Sequence, residues 1–151
     1  MEFKLTKTDR LIVNAAAKDT VPRALHCVHI TKGRIEATNG TILMERKYHY
    51  NGEDVLLDVW DIAKDKGETI DIIPRVQGTF PDTKTLYPTT EPVFKIALSK
   101  DQIITALKCF RKQEGVVKFS FYGMEVPVKI EAHDGEVKGL IMPMRVNWRD
   151  G

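Results

Sequence analysis

The same order of elements is predicted twice along the chain, and this repetition constrains the fold more than any other feature. The first copy reads as a strand, a helix and three strands, predicted at 1–6, 7–18, 23–31, 34–38 and 41–50. The second copy has the same order, with its elements predicted at 94–98, 100–112, 116–121, 124–132 and 136–142. We therefore predict an α+β fold of two βαβββ repeats, with two adjacent helices on one face of antiparallel sheets.

The connection between the two copies is the least regular part of the chain. It extends over 51–92 and predicts a strand at 55–59, a short helix at 60–66, a strand at 69–76 and a loop at 80–88. The chain has 151 residues, of which 42% are hydrophobic and 29% charged, a mixture typical of a soluble globular protein. We expect a single domain over 1–151, with its repeats at 1–50 and 93–146.

Both predicted helices carry positive charge opposite an apolar face. The apolar faces consist of Leu11, Ile12, Ala15 and Ala16 in the first helix and of Ile103, Ile104, Leu107 and Phe110 in the second. The basic residues are Lys7, Arg10, Lys18, Lys100, Lys108, Arg111 and Lys112. If the helices lie side by side, these side chains form one surface that contacts DNA phosphates without reading bases. The alternative is an ordinary solvated helix face, because the net charge is only +2 and Asp9, Asp19 and Asp101 lie nearby.

Three separated segments differ from ordinary core strands. Residues 139–146 read GLIMPMRV, an apolar run in which Pro143 cannot donate to a strand ladder and two methionines offer adaptable side chains. Residues 78–88 read GTFPDTKTLYP, where two prolines remove backbone donors, so this loop must follow the surface or a sheet edge. Residues 37–43 read ATNGTIL, which contains an Asn-Gly turn. The alternative for each apolar side chain is ordinary packing in the core.

Together these segments resemble the bacterial DNA polymerase III beta subunit family, the sliding clamps. In that family a G-x-FPD-x-x-x-x-x-P stretch, a TDG-x-x-L stretch and a C-terminal MPMR run converge on one surface groove. The resemblance implies a DNA-clamp-like fold and a peptide-binding groove lined by Leu43, Pro81, Leu86, Leu140, Met142, Pro143 and Met144. The sequence departs from the family pattern twice, with Asn39 in the place of an aspartate and Thr83 in the place of a bulky residue.

The resemblance also implies a function, that of a processivity factor in DNA replication or repair. The expected partners are duplex DNA, bound non-specifically, and a DNA polymerase or other proteins that carry a clamp-binding peptide; no cofactor is expected. A ring would need about six copies of this chain, so we expect a homo-oligomer, with candidate pairing edges at 41–50 and 116–121. Two alternatives stay open: a peptide-binding adaptor or decoy that never closes a ring, and a small enzyme of unknown chemistry.

Residue arrangements typical of enzymes are hard to find. His26 and His29 are three apart in a predicted strand, so they point to opposite faces and cannot share a metal ion. Neither His49 nor His133 has an evident partner. The carboxylate pairs in the polar connection are Asp58 with Asp61 and Glu68 with Asp71. Because such pairs fit a solvated surface better than a catalytic dyad, we predict no enzymatic activity and no metal site.

Two further features of the sequence report on the cellular compartment. No apolar run approaches the length that spans a bilayer, and no basic segment followed by an apolar one opens the chain. We therefore expect a cytoplasmic protein without membrane contact. The two cysteines, Cys27 and Cys109, are far apart in sequence and are predicted to be buried, reduced thiols.

Overall fold

The computed structural model describes residues 1–148, and the chain divides into two units, Met1–Pro88 and Thr89–Gly151. The first unit contains, in chain order, β1 (Phe3–Thr6), α1 (Lys7–Arg10), β2 (Cys27–Thr31), β3 (Arg34–Thr38), β4 (Leu43–Lys47), β5 (Val55–Asp58), α2 (Val59–Lys64) and β6 (Thr69–Ile72). Short 3₁₀ turns lie at Leu11–Ala15, Arg23–His26 and Thr83–Leu86. The described part of the second unit contains α3 (Lys100–Leu107), β7 (Val117–Ser120), β8 (Val128–Ala132) and β9 (Lys138–Ile141).

The apolar core of the first unit is built by side chains from both of its antiparallel sheets. One sheet pairs β1 with β6, and the other has the order β4-β3-β2-β5. The core members with almost no exposed surface are Leu5, Val28, Ile30, Ile35, Ala37, Leu57 and Ile70. Because each large buried side chain contributes about 1.5–3 kcal/mol, this cluster holds the two sheets together.

The opposite face of the four-stranded sheet is polar and nevertheless buried. His29 of β2 lies opposite Glu36 of β3 in the strand register, and both side chains are buried. Residues two apart in a strand share a face, so Thr31 and Thr38 belong to the same buried layer. A polar layer of this kind needs an internal partner for each group. Thr31 donates to Asp54 and Thr38 to the Ile42 carbonyl, each at 2.6 Å.

The first predicted helix is shorter than expected and changes its geometry. It begins with a capping box, in which Thr6 and Asp9 bond to each other's backbone amides, but the α-helix ends at Arg10 and a 3₁₀ turn follows. In a 3₁₀ turn residues three apart lie above one another, so Ile12 and Ala15 are buried. Leu11, which was expected on the apolar face, is 56% exposed.

The first strand of the next hairpin also begins later than predicted. Residues 23–26 form a 3₁₀ turn, in which the Leu25 amide donates to the Pro22 carbonyl at 3.1 Å, and β2 starts at Cys27. His26 therefore lies outside the strand, and the expectation that it alternates with His29 along one strand is wrong. Its ring is fixed instead by a bond of 2.8 Å between Nδ1 and the Ala17 carbonyl.

The second unit keeps its three strands but reduces the strand predicted at 94–98. The order of its sheet is β7-β8-β9, antiparallel throughout. Of the predicted strand only Ala97 pairs, in an isolated bridge with Met144. Pro143 has no amide hydrogen, so it limits the ladder on one side of this bridge. The second repeat thus lacks a regular first strand.

The helix of the second unit is capped as predicted but ends early. Ser99 accepts a hydrogen bond from the Gln102 amide at 3.4 Å and caps α3, which ends at Leu107 rather than at residue 112. The next amides, of Cys109 and Phe110, bond to carbonyls three residues back, so the chain tightens into turns. Cys109 is exposed as a result, which corrects the prediction that both cysteines are buried.

The predicted class of fold, α+β with antiparallel sheets, is confirmed. Over residues 1–148, no helix combines the length and the apolar character needed to cross a bilayer.

Candidate functional site

A cleft of about 650 Å³ lies in the second unit between α3 on one side and β9 with the tail that follows it, residues 142–144, on the other. The helix side is lined by Ser99, Gln102, Thr105, Ala106, Cys109 and Phe110. The opposite side is lined by 137–144, and Ile130 of β8 also contributes. The cleft therefore contains all four groove residues that were predicted in this unit: Leu140, Met142, Pro143 and Met144.

The tail beside this cleft is held in place by its backbone while its side chains stay accessible. The Met144 amide donates to the Ala97 carbonyl at 2.8 Å, immediately after Pro143. Leu140, Met142 and Met144 are 66%, 67% and 52% exposed. These side chains are therefore not part of the core of this unit. Flexible thioethers on a fixed backbone form a surface that adapts to an apolar ligand.

The other three predicted groove residues belong to the first unit. Leu43 begins β4 and lies opposite Thr38 in register, on the same face as Glu36. Pro81 is exposed, and Leu86, at the end of a 3₁₀ turn, is 64% exposed. Asp82 caps that turn through the Lys84 amide at 3.2 Å. This unit thus presents two apolar side chains from one short, capped loop.

A buried network fastens this loop to the sheet. The Thr83 hydroxyl donates to Glu36 Oε2 at 2.7 Å, and Nδ1 of His29 lies 2.7 Å from Glu36 Oε1. Arg34 Nε donates to Glu36 Oε2 at 3.2 Å. The Phe80 ring stacks on the His29 ring, with a centroid distance of 4.5 Å. The loop is therefore joined to β2 and β3 on both sides of Pro81.

The ionisation of Glu36 follows from these contacts. Burial by itself raises the pKa of a carboxyl group, but the hydrogen bonds from His29, Thr83 and Arg34 outweigh it and hold the pKa of Glu36 below its ordinary value. Glu36 is absent from the predicted site. The one signal in the sequence is Thr83, a small hydroxyl residue where the family pattern has a bulky one.

Asp54 binds the far side of the His29 ring. Its carboxylate accepts a hydrogen bond of 2.6 Å from the Thr31 hydroxyl and lies 3.1 Å from His29 Nε2. The Thr31 bond lowers the pKa of Asp54; partial burial opposes this, and His29 and Arg34 add to the lowering. The imidazole of His29 is thus oriented by carboxylates at both of its nitrogens.

The predicted basic residues of the first unit differ in whether their side chains have hydrogen-bond or ion-pair partners within the protein. Lys7 forms an ion pair of 2.5 Å with Glu68. The guanidinium of Arg10 donates to three backbone carbonyls, those of Thr6, Asp65 and Gly67, and so fastens α1 to the turn before β6. Lys18 is exposed and forms no ion pair within residues 1–148.

The basic residues of the second unit show the same division. Arg111 pairs with Glu114 at 2.5 Å and lies 3.8 Å from Asp134. Three exposed lysines form no ion pair with any other described residue: Lys100, Lys108 and Lys112. Phosphates compete best for cations that are not already paired, so the lysines are the stronger candidates for DNA contact.

The residues considered for enzymatic chemistry have structural roles or lie apart. Asp58 caps α2 through the Trp60 amide at 2.8 Å and pairs with Arg23, and Asp61 pairs with Lys64 at 3.1 Å. Cys27 is buried, which raises the pKa of its thiol, and Asp58 adds to that effect. Within the described chain, no three His, Cys, Asp or Glu side chains are placed to hold a metal ion.

Comparisons with known proteins bear on the fold. No protein-family model matches the chain, and no curated protein matches it. Three solved structures superpose on nearly all of it. A DNA polymerase sliding clamp from Bacillus subtilis is 18% identical, with a TM-score of 0.68 over 95% of this chain and 49% of that one. DNA polymerase III subunit beta from Borrelia burgdorferi is 14% identical, with a TM-score of 0.66 over 94% of this chain and 48% of that one, and the subunit from Pseudomonas aeruginosa is 17% identical, with a TM-score of 0.64 over 95% and 51%. The chain therefore has the fold found in sliding clamps and spans about half the length of these structures.

Proposed function

We propose that this chain, which has the fold of sliding clamps, is a non-enzymatic processivity factor that contacts duplex DNA and tethers partner proteins by a short peptide. The observation that carries the proposal is the cleft beside α3. The exposed side chains of Leu140, Met142 and Met144 line it, and their backbone is held by the hydrogen bond from the Met144 amide to the Ala97 carbonyl. A shallow apolar surface of this kind suits the anchor side chains of a peptide.

In this proposal the first unit offers an apolar surface of its own for peptide recognition. Leu43, Pro81 and Leu86 lie on or above one face of the four-stranded sheet, and the loop that carries two of them is fastened to that face. A fixed loop loses little conformational entropy when a peptide binds, which favours affinity.

The DNA contact is assigned to four unpaired lysines predicted on the two basic helices, although only Lys100 lies within a helix of the structure, because α1 ends at Arg10 and α3 at Leu107. Lys18, Lys100, Lys108 and Lys112 are exposed and free of ion pairs within residues 1–148. Such contacts to phosphates bind any sequence and weaken with salt, which suits a protein that moves along a duplex. Lys7, Arg10 and Arg111 keep internal partners and are assigned a smaller share.

A direct test uses the double substitution Met142→Ala and Met144→Ala. It is expected to weaken binding of a short fluorescein-labelled peptide with leucine and phenylalanine anchors at least about tenfold, because two anchor contacts of about 1 kcal/mol or more are lost. Circular dichroism should stay unchanged, since both side chains are exposed. Met124→Ala, an exposed methionine that does not line the cleft, is the matched control. Equal affinities for all three proteins would exclude the cleft as the peptide site.

The alternative function is a peptide-binding adaptor or decoy that never closes a ring. The ring form has structural support in the sheet edges. Within residues 1–148, β4 ends the four-stranded sheet and β7 ends the three-stranded sheet, as predicted at 41–50 and 116–121. Pairing β4 of one copy with β7 of the next gives a head-to-tail oligomer. Light scattering after gel filtration separates the two, because the adaptor stays a monomer or dimer with and without DNA.

A further inference from the structure

The loop that presents Pro81 and Leu86 is attached to the sheet at two buried points. Phe80, just before Pro81, stacks on His29 and packs with Cys27 and Leu56. Thr83, two residues after Pro81, is 1% exposed and donates its hydroxyl hydrogen to Glu36. The residues between the attachment points, Pro81 and Asp82, face solvent. The loop therefore has a buried inner side and an exposed outer side.

The second attachment point depends on a single acceptor that is itself fully buried. Glu36 has no exposed surface and receives hydrogen bonds from three directions: from His29 of β2, from Arg34 of its own strand and from Thr83 of the loop. The Thr83 bond joins residues 47 positions apart in the chain. Removing one donor from a buried carboxylate costs free energy, so Glu36 favours the conformation in which Thr83 is bound to it.

The attachment also fixes the positions of the apolar side chains of the loop. Asp82 caps the 3₁₀ turn that begins at Thr83, and Leu86 ends that turn. Once the Thr83 side chain is bound to β3, the turn cannot slide along the sheet. Pro81 and Leu86 are then held at fixed positions above the face that also carries Leu43.

We propose that Glu36 and Thr83 form a latch that positions the Phe80–Leu86 loop for partner binding, and that Thr83 is a positioning residue rather than a contact residue. The inference rests on the proposed peptide-binding function and names two residues that determine its affinity without touching the peptide. His29 supports the latch from both sides, since its ring binds Glu36 and stacks on Phe80.

The experiment compares Thr83→Val, which has the same shape without the hydroxyl, with Thr83→Ser, which keeps the hydroxyl. Thr79→Val is the matched control, an exposed threonine of the same loop whose hydroxyl makes no hydrogen bond within residues 1–148. In Thr83→Val, amide hydrogen exchange at 82–86 is expected to accelerate about tenfold, and the Kd of the labelled leucine- and phenylalanine-containing peptide to rise about tenfold. Thr83→Ser and Thr79→Val are expected to match the wild type in both measurements.

Several outcomes separate the latch from the function that it serves. Unchanged exchange at 82–86 in Thr83→Val overturns the latch, whatever the peptide does. Faster exchange with unchanged peptide affinity overturns the positioning role of Thr83. If the wild-type chain binds no peptide, the proposed function fails, and the exchange comparison alone decides the latch. Should Thr83→Val not fold, Thr83→Ala removes the hydroxyl without a branched replacement and is judged by the same readings.

Discussion

At the residue scale, the first unit depends on a buried carboxylate that stays ionised. Glu36 lies in a face where an apolar residue would be ordinary, and the cost of its burial is offset by charged and neutral donors around it. His26 shows the opposite case, because its Nε2 is buried without a hydrogen-bond partner among the described residues and lies 4.0 Å from Asp58 Oδ1. The hydrogen bonds to Glu36 are therefore expected to contribute to the stability of the first unit.

Glu36→Gln is expected to lower the free energy of unfolding at pH 7 by about 2 kcal/mol, because hydrogen bonds to a charged acceptor become bonds to a neutral one. The substitution should also flatten the dependence on pH. The pKa of Glu36 is lowered in the folded state, so its contribution is present above the unfolded value of about 4.3 and is lost as pH falls through the folded-state value. Urea unfolding at a series of pH values between about 3 and 7 measures both effects.

The control for this prediction is Glu45→Gln, an exposed carboxylate directly opposite Glu36 in the β3–β4 register. It removes an exposed charge that lies 3.5 Å from Arg34, leaves the Glu36 carboxylate in place, and should follow the wild-type profile much more closely than Glu36→Gln does. Some loss of stability in acid should persist in Glu36→Gln, since the pKa of Asp54 is lowered too. Parallel profiles for the wild type and Glu36→Gln would show that the buried carboxylate does not govern acid stability.

At the element scale, the stability of the short helices α2 and α3 depends on their N-cap residues. Ser99 caps α3, one wall of the cleft, through a long hydrogen bond of 3.4 Å to an exposed amide. Asp58 caps α2 through a bond of 2.8 Å and also pairs with Arg23 from a buried position. The two caps therefore differ in the number of groups that each would leave without a partner.

Asp58→Ala is accordingly expected to cost about 2 kcal/mol, because the half-exposed Arg23 keeps access to water when its partner is lost, and Ser99→Ala about 1 kcal/mol or less. The chain contains two tryptophans, Trp60 beside the first cap and Trp148 in the second unit, so their fluorescence reports on the units separately. Urea unfolding in Trp60→Phe and Trp148→Phe backgrounds measures the cost in each unit. Asp58→Asn, which keeps a capping oxygen and loses the charge, should lie between wild type and Asp58→Ala. Equal costs for the two alanine variants would contradict the assignment of Asp58 to a buried network.

At the scale of the whole molecule, a net charge of only +2 means that any affinity for DNA must come from local charge. The lysines proposed to contact DNA are divided between the two units, with Lys18 in the first and Lys100, Lys108 and Lys112 in the second. Binding through them would be governed by the release of counterions rather than by base contacts.

Reversing Lys108 and Lys112 to glutamate is expected to lower the affinity for duplex DNA and to reduce the slope of log K against log salt by about 2. Fluorescence anisotropy with a labelled duplex at several salt concentrations gives both quantities. The matched control reverses Lys32 and Lys47, which changes the net charge equally but lies on the β2–β3–β4 hairpins of the first unit. If both double variants lose affinity to the same extent, the effect reflects overall charge, and Lys108 and Lys112 have no special role.

The order of elements was accessible from the sequence because it depends on local patterns. Alternation predicted β7 to β9, turn residues placed the hairpins, and Ser99 marked the start of α3. Lengths were less accessible, since a chain that leaves the α-helix at Arg10 for a 3₁₀ turn does so through contacts that the pattern does not contain. The pattern also does not show that, of the strand predicted at 94–98, only Ala97 pairs, in its bridge with Met144.

The chemistry of the tail follows from its residues alone, because a proline between two methionines cannot continue a buried ladder in any fold. The roles of Glu36 and Thr83, in contrast, depend on long-range contacts in the folded chain. Their hydrogen bond joins a strand to a loop 47 residues later, and neither residue carries a local pattern that names the other. The register of β2 against β3 and the packing of Phe80 bring them together, and these are long-range contacts that form only when the unit folds.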